Sequence, residues 1–209
     1  QNIKKFTVLN SSLVQEGLKK SGDWKYETSA VRKSGIKFGG TKYMSFHIVA
    51  DSCCELTADM KKRGNIEIAP LTLEVGGESI LDDETFDQAD FLRRVAASEE
   101  CPKSSCPSPE RYMELYKCDV DRVYAVTLSG ELSGSYNSAV LGANLAQEED
   151  EDLKIHVFNS RSASIGETLI VKKIVECEEA GMSFERVVET VELYISTQHT
   201  LSLIHISEP

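Results

Sequence analysis

The chain has 209 residues, of which 41% are hydrophobic, enough for one packed domain of ordinary size. Its formal net charge of −11 is unevenly spread, because residues 1–43 carry nine Lys or Arg against three acidic residues and the remainder carries −17. An acidic body repels phosphate backbones, so nucleic-acid binding by the main domain is disfavoured, and no apolar run reaches the roughly 20 residues that cross a bilayer.

From residue 45 onward the pattern predicts a strand, a loop and a helix in succession. Residues 45–50 form a short apolar run typical of a buried strand, and residues 55–63 form a helical stretch. Residues 65–75 are rich in Ile, Leu, Thr and Val, and Pro70 within them favours an edge strand or a bend. Gly76-Gly77 predicts the turn that ends this segment.

Two helices are predicted in the middle of the chain. Residues 86–97 place apolar side chains on one helical face and charged side chains on the other. After a loop rich in Ser, Pro and Cys, Ser108-Pro109 begins a helix that runs to about Lys117. Pro at the first helical position costs no hydrogen bond, and Ser caps the free amides.

The last third of the chain alternates strands with helices. Strands are predicted at residues 121–127 and 153–158, and helices at residues 133–147, 164–180 and 183–196. Strands and helices of this length, in alternation, imply right-handed crossovers. The sequence therefore predicts an α/β fold with a mostly parallel sheet and helices on both faces.

Hydroxyl side chains cluster where the predicted strands end. In a parallel sheet these ends meet helix amino ends, where unpaired amides and the helix dipole favour an anion. The candidate residues are Asp51, Ser52, Ser104, Ser105, Ser129, Ser133, Gly134, Ser135, Asn159 and Ser160. Neutral hydroxyls and amides suit a small anionic head group such as a carboxylate or phosphate, although any one of these residues could instead cap a helix or close a turn.

Catalytic, metal and cofactor sites are not supported by the sequence. Ser133-Gly134-Ser135 lacks the Gly-x-Ser-x-Gly elbow and a nearby His, and no phosphate-loop Lys follows Gly76-Gly77. The six cysteines include no Cys-x-x-Cys pair, and the four histidines lie at no metal-ligand spacing. We therefore expect free thiols, no metal, no cofactor and no catalytic residue, in a cytoplasmic protein without an apolar secretory segment.

Five segments, in order, resemble motifs of the DegV family. They are Asp51-Ser52-Cys53, Pro70-Leu71, Ser104-Ser105-Cys106-Pro107-Ser108, Ser129-Gly130-Glu131-Leu132-Ser133-Gly134-Ser135-Tyr136 and Asn159-Ser160-Arg161. The chain departs from the family pattern where Ser104 and Ser135 stand for Thr, Cys106 for Gln, Gly130 for the second Ser and Asn159 for Asp. Ser104 keeps a hydroxyl, whereas Cys106 cannot replace the hydrogen bonds of an amide.

The resemblance implies the first of two α/β domains that hold a fatty acid between them. Its carboxylate would be bound by Ser104 and Ser133, with Ser105, the Gly134 amide and Ser129 nearby. Such a carrier presents the acid to a fatty-acid kinase subunit, which phosphorylates it to an acyl phosphate. The resemblance thus implies a lipid-binding carrier and not an enzyme.

The resemblance also divides the chain into three parts. Residues 44–200 are expected to form the DegV-type domain, with residues 1–43 as a leader outside the family pattern, an extension or an artefact, and residues 201–209 as a non-family tail. The second domain is expected to be missing. Two alternatives remain: a kinase-like enzyme that acts on a small substrate in the same crevice, and an interaction module without a lipid ligand.

Overall fold

The computed structural model describes residues 5–10 and 46–203. In chain order they form β1 (Lys5–Asn10), β2 (Phe46–Asp51), α1 (Ala58–Lys62), β3 (Ile66–Ala69), β4 (Thr72–Val75), β5 (Glu78–Leu81), α2 (Gln88–Ala97), β6 (Lys103–Ser105), α3 (Pro109–Tyr116), β7 (Arg122–Thr127), α4 (Ser135–Glu149), β8 (Lys154–Asn159), α5 (Ile165–Glu179), α6 (Phe184–Ser196) and β9 (Gln198–Leu203). Most of the predicted leader, and residues 204–209 of the predicted tail, lie outside the described residues.

The main sheet is parallel and has the strand order β3-β2-β7-β8. From β2 the chain moves outward to β3, and from β7 it moves outward in the opposite direction to β8, so the order reverses between β2 and β7. In open α/β sheets, ligands bind in the crevice at the carboxyl ends of the strands at such a reversal. The predicted α/β fold is confirmed, and this rule puts the candidate site beyond the ends of β2 and β7.

Helices cover both faces of this sheet. On one face the strands pack against α5 and α6 through a cluster that includes Ile48, Tyr124, Phe158, Ile170, Ile174, Val187 and Val191. On the other face they pack against α3 and α4 through a second cluster that includes Val49, Val123, Ala125, Tyr112, Leu115, Tyr116, Ala139 and Ala143. Because β7 is buried along its whole length, it anchors both clusters.

A second, antiparallel sheet of order β5-β4-β6 lies beside the first. Pro70 lies between β3 of the main sheet and β4 of the second sheet, so the predicted bend is confirmed. Ser104 and Ser105 lie in β6 and not in the predicted loop. The three-residue strand has no apolar alternation, and its pairing with β4 is a tertiary effect that local sequence does not encode.

The predicted helix at residues 86–97 is confirmed as α2, but its apolar face is left partly open. None of its residues is buried, and Leu92 is 54% exposed. The rings of Phe86 and Phe91 contact each other with centroids 5.5 Å apart. Strands β1 and β9, which the sequence did not predict, pair as an antiparallel ribbon. Among the described residues, no helix combines the length and apolarity needed to cross a bilayer.

Candidate functional site

The loops that follow β2, β7 and β8 are tied together at the carboxyl end of the main sheet. The backbone N–H of Leu128 donates to Oδ2 of Asp51 across 2.8 Å, which joins the β7 loop to the end of β2. The N–H of Gly130 donates to Oδ1 of Asn159 across 3.1 Å, which joins the same loop to the end of β8. The three strand ends therefore present one connected surface.

The structure brings the end of β6 against the amino end of α4. Gly134 is the residue that precedes α4, and a Cβ atom placed on it would lie 3.1 Å from Sγ of Cys106. The same sulfur lies 3.6 Å from Oγ of Ser138 in the first turn of the helix. Because Cys106 follows Ser104 and Ser105 directly, two groups of predicted head-group residues that lie far apart in sequence share one region of the molecule.

The two serines of the β7–α4 loop have different environments. Ser133 is half-buried, and its hydroxyl accepts from the N–H of Ser135 across 3.2 Å at the beginning of the helix. Ser129 is only 7% exposed, and its hydroxyl accepts from the N–H of Glu131 across 3.3 Å. The N–H of Ser129 donates to the carbonyl of Ser162. The hydrogen bonds of Ser129 therefore stabilise the conformation of the β7–α4 loop. Ser133 remains accessible for a ligand.

The remaining predicted head-group residues are exposed to solvent, unlike Ser129. Ser104, Ser105 and Gly134 are exposed. A helix of this length carries unpaired amides at its amino end, and these add a partial positive charge beside the exposed hydroxyls. The arrangement offers hydrogen-bond donors to an anion without a buried cationic side chain.

A pair of buried carboxyl groups beneath this surface was not anticipated from the sequence. Asp51 and Glu167 are both 0% exposed. Their carboxylate oxygens and Sγ of Cys53 all lie within 4.8 Å of one another. The signal that could have found Glu167 is the capping box at the start of α5, in which Glu167 Oε1 accepts from the N–H of Ser164.

Burial dominates the electrostatics of this pair. Loss of solvation raises the pKa of Asp51 to about 6, although the N–H of Leu128 and a hydrogen bond with Glu167 act in the opposite direction. Burial, followed by the charge of Asp51, raises the pKa of Glu167 well above its ordinary value. Burial also raises the pKa of the Cys53 thiol to about 12, so this thiol keeps its proton at neutral pH.

A proton or a cation could neutralise such a pair, and the donor set fits a proton better. Both oxygens of Asp51 already accept backbone amides, from Leu128 and Cys53. The Cys53 thiol is held in its neutral form, which is a poor ligand for a metal. All six cysteines are free, in agreement with the sequence prediction.

Two surface clefts lie away from these serines. They have volumes of about 310 and 340 Å³ and are lined by residues that precede β7 and β8, at the amino ends of the strands. Lys117, Cys118 and Asp119 line the first, and Val120 and Asp121 the second. Neither cleft includes a predicted head-group residue.

Residues 45–205 match a family model described as an uncharacterised protein of the DegV family. The chain belongs to the DegV family. The resemblance drawn from the five motifs is therefore confirmed. A DegV domain-containing protein of Streptococcus pneumoniae strain R6 is 36% identical over 153 residues, which are 72% of this chain and 54% of that protein.

Two solved DegV structures of higher or similar identity share the fold. A DegV-family protein from Ruminococcus gnavus, determined with vaccenic acid, has 56% identity and a TM-score of 0.71 over 73% of this chain and 55% of that one. The Fak B3 protein of the Streptococcus pneumoniae fatty acid kinase, loaded with linoleic acid, has 34% identity and a TM-score of 0.66 over 73% of this chain and 55% of that one. The chain thus spans about half the length of the DegV relatives that it matches.

Proposed function

We propose that this protein binds a long-chain fatty acid by its carboxylate and presents that head group to a partner kinase subunit. The observation that carries the proposal is the close approach of Cys106, the residue that follows Ser104 and Ser105, to Gly134 at the amino end of α4. In the proposed complex Ser104 and Ser133 donate to the carboxylate, with Ser105 and the Gly134 amide beside them. Similar DegV proteins were determined with vaccenic and linoleic acids, which supports this choice of ligand.

The chemistry of the site favours a carboxylate over a neutral ligand. Hydroxyl and amide donors beside a helix amino end stabilise negative charge, and they do so without the desolvation of a cationic side chain. Ser129 belongs to the same loop, and in this proposal its buried hydroxyl fixes the turn that positions Ser133. Ser129 thereby contributes to the site indirectly.

Most of the affinity would come from the acyl tail. At roughly 0.8 kcal/mol for each buried methylene, a C16 chain contributes on the order of 12 kcal/mol before entropic costs, against about 1.5–3 kcal/mol for each hydrogen bond to the charged head. The chain spans 55% of the relatives determined with fatty acids. We therefore expect residues 46–203 to supply only part of the contacts to the tail.

In this proposal the protein is a carrier, and the chemistry belongs to the partner. The kinase subunit would transfer a phosphoryl group to the exposed carboxylate, which forms an acyl phosphate, and the carrier would need no cofactor of its own. The relationship to the Fak B3 protein of a fatty acid kinase supports this assignment of roles.

Native mass spectrometry of protein purified from bacteria tests the proposal directly. A carrier is expected to retain fatty acid or, after delipidation, to bind added oleate in a calorimetric titration. A kinase-like enzyme for small substrates, or an interaction module, would retain no fatty acid and would give no heat with oleate. A protein that retains no fatty acid in the mass spectrum and also gives no heat with oleate would overturn the proposal.

Substitution of the two head-group serines should weaken binding without unfolding the domain. Ser104→Ala and Ser133→Ala each remove one hydrogen bond to a charged group, worth about 1.5–3 kcal/mol, so the Kd for oleate is expected to rise by roughly 10- to 100-fold. Calorimetry measures the change, and urea denaturation reports on folding. Ser133→Ala also removes the acceptor for the Ser135 N–H, so a small loss of stability is expected for that variant alone.

Ser79→Ala is the matched control for this experiment. Ser79 is exposed on β5, at the far edge of the small sheet from β6. Its replacement should leave the Kd for oleate unchanged. If Ser104→Ala binds oleate as tightly as this control does, the carboxylate is held elsewhere.

A further inference from the structure

Asp51 and Glu167 form a buried pair that the proposed head-group contacts do not use. Their proximity forbids two full negative charges, because each carboxylate would lose its solvation and repel the other. The titratable groups that interact with the pair are Cys53 and Cys54 from the loop after β2, Asp82 after β5, and Tyr112 of α3. None of these side chains is cationic, so the negative charge needs a different partner.

The hydrogen bonds distinguish the two members of the pair. Asp51 accepts two backbone N–H groups, from Leu128 at 2.8 Å and from Cys53 at 3.1 Å, and such donors favour its ionised form. Glu167 accepts one, from Ser164 at 3.1 Å, and within the described part of the chain its second oxygen is buried without a donor. A proton carried by Glu167 would be available to Asp51, because a carboxylate oxygen of each residue lies within 4.8 Å of the other.

We propose that Asp51 and Glu167 share a single proton, and that this pair positions the β7–α4 loop that carries Ser133. Asp51 holds the Leu128 amide at the base of that loop, and Glu167, which lies beside Asp51, accepts from the Ser164 N–H at the start of α5. The loop is fixed a second time when the N–H of Ser129 donates to the carbonyl of Ser162, just before α5. Loss of the shared proton would place two charges under the loop and push its two anchors apart.

The expected pH dependence follows from the direction of the pKa shifts. Burial raises the pKa of both carboxyl groups, so between their ordinary values and the raised ones the folded protein holds more protons than the unfolded chain. Stability from this pair is therefore present at low pH and is lost as the pH rises through the pKa values of the folded pair. The pair titrates as a unit, so the loss begins above the ordinary carboxyl values, continues through the value of about 6 for Asp51 and ends at the higher value for Glu167.

The test compares wild type with Glu167→Gln in urea denaturation from pH 5 to pH 9. The amide of Gln is neutral at every pH and can donate to Asp51 as the protonated acid does. The folding equilibrium constant of the wild type should fall relative to that of Glu167→Gln by up to about tenfold for each pH unit in the titration range. Glu176→Gln, which removes an exposed carboxylate from the same helix, should follow the wild type. Parallel curves for wild type and Glu167→Gln would overturn the shared proton.

Two further measurements separate the remaining possibilities. Wild type at pH 7 should show the infrared carbonyl band of a protonated carboxylic acid, and a missing band would overturn the proposal even if Glu167→Gln failed to fold. Zn²⁺ or Mg²⁺ should not stabilise the wild type over Glu167→Gln, and a selective gain would mean that a cation, not a proton, neutralises the pair.

The effect of the Asp51–Glu167 pair on ligand binding rests on the proposed function and is measured separately, as the affinity for oleate. Oleate binding should weaken in the wild type, and hold in Glu167→Gln, at a pH where the infrared band of the protonated acid has disappeared, because only the wild type then carries two charges beneath the loop. Diverging stability curves with identical oleate affinities would refute the positioning role. If no variant binds oleate, the proposed function fails, while the stability curves still decide whether the proton is shared.

Discussion

Gly142→Ala should lower the free energy of unfolding by about 3 kcal/mol, near the upper end of the usual range for overpacking. A Cβ atom at Gly142 in α4 would lie 2.6 Å from the carbonyl oxygen of Pro109, 2.8 Å from Cβ of Tyr112 and 3.0 Å from the amide nitrogen of Met113. Two of these atoms belong to the backbone of α3, so relief requires the two helices to separate. Urea denaturation at neutral pH measures the loss.

Asn144→Ala provides the control on the same helix. Asn144 is exposed, so its replacement adds helix propensity without a contact and should stabilise the domain by a few tenths of a kcal/mol. A Gly142→Ala variant as stable as the wild type would show that α3 and α4 can move apart at no cost. The close approach of α3 and α4 matters for the site because α3 follows β6 and α4 follows Ser133.

Glu178→Ala is expected to cost about 3–5 kcal/mol, because it removes the carboxylate that faces the buried Arg122 guanidinium. Glu178 Oε1 lies 2.8 Å from Nη1 of Arg122, and the two side chains are only 4% and 5% exposed. The hydroxyl of Tyr124 donates to the same carboxylate oxygen, and Arg122 also donates to the carbonyl of Met182. This network fixes the start of β7 against the end of α5.

Two comparisons isolate the buried charge in thermal or urea denaturation. Glu178→Gln retains the shape of the side chain and an acceptor oxygen. Its free energy of unfolding should therefore fall clearly less than that of Glu178→Ala. Glu114→Ala breaks an exposed pair with Arg111, whose atoms are 3.2 Å apart, and it should cost less than about 1 kcal/mol. Equal losses for Glu178→Ala and Glu114→Ala would mean that burial adds nothing at this position.

The main sheet was predictable because its strands are apolar along their length and their helices begin with recognisable caps. Ser108 accepts from the N–H of Arg111 and Ser183 from the N–H of Arg186, as the capping residues at these positions were expected to do. In contrast, β5 and β6 carry few apolar residues, and both depend on β4 for their hydrogen bonds. Their formation is decided by tertiary pairing, which a local pattern does not encode.

The candidate site was predictable only in part, for a related physical reason. Strand ends in a parallel sheet must meet, so Asp51, Ser133 and Asn159 could be grouped from their positions alone. The approach of Cys106 to Gly134 depends on how closely α3 packs on α4. The pairing of Asp51 with Glu167 depends on the placement of α5, and a glutamate in a helix is ordinarily a solvated residue.

The partial exposure of α2 and β6 determines which parts of the domain unfold locally first. Every residue of β7 is buried, whereas α2 and β6 contain no buried residue, so amide hydrogen exchange should be faster in α2 and β6 than in β7. Ser104 therefore lies in β6, which should open easily, and Ser133 lies in the loop that follows the protected strand β7. In the proposed complex, a carboxylate bound by both serines would have to order β6, so part of the binding energy would go into that ordering and release would begin with local opening of β6.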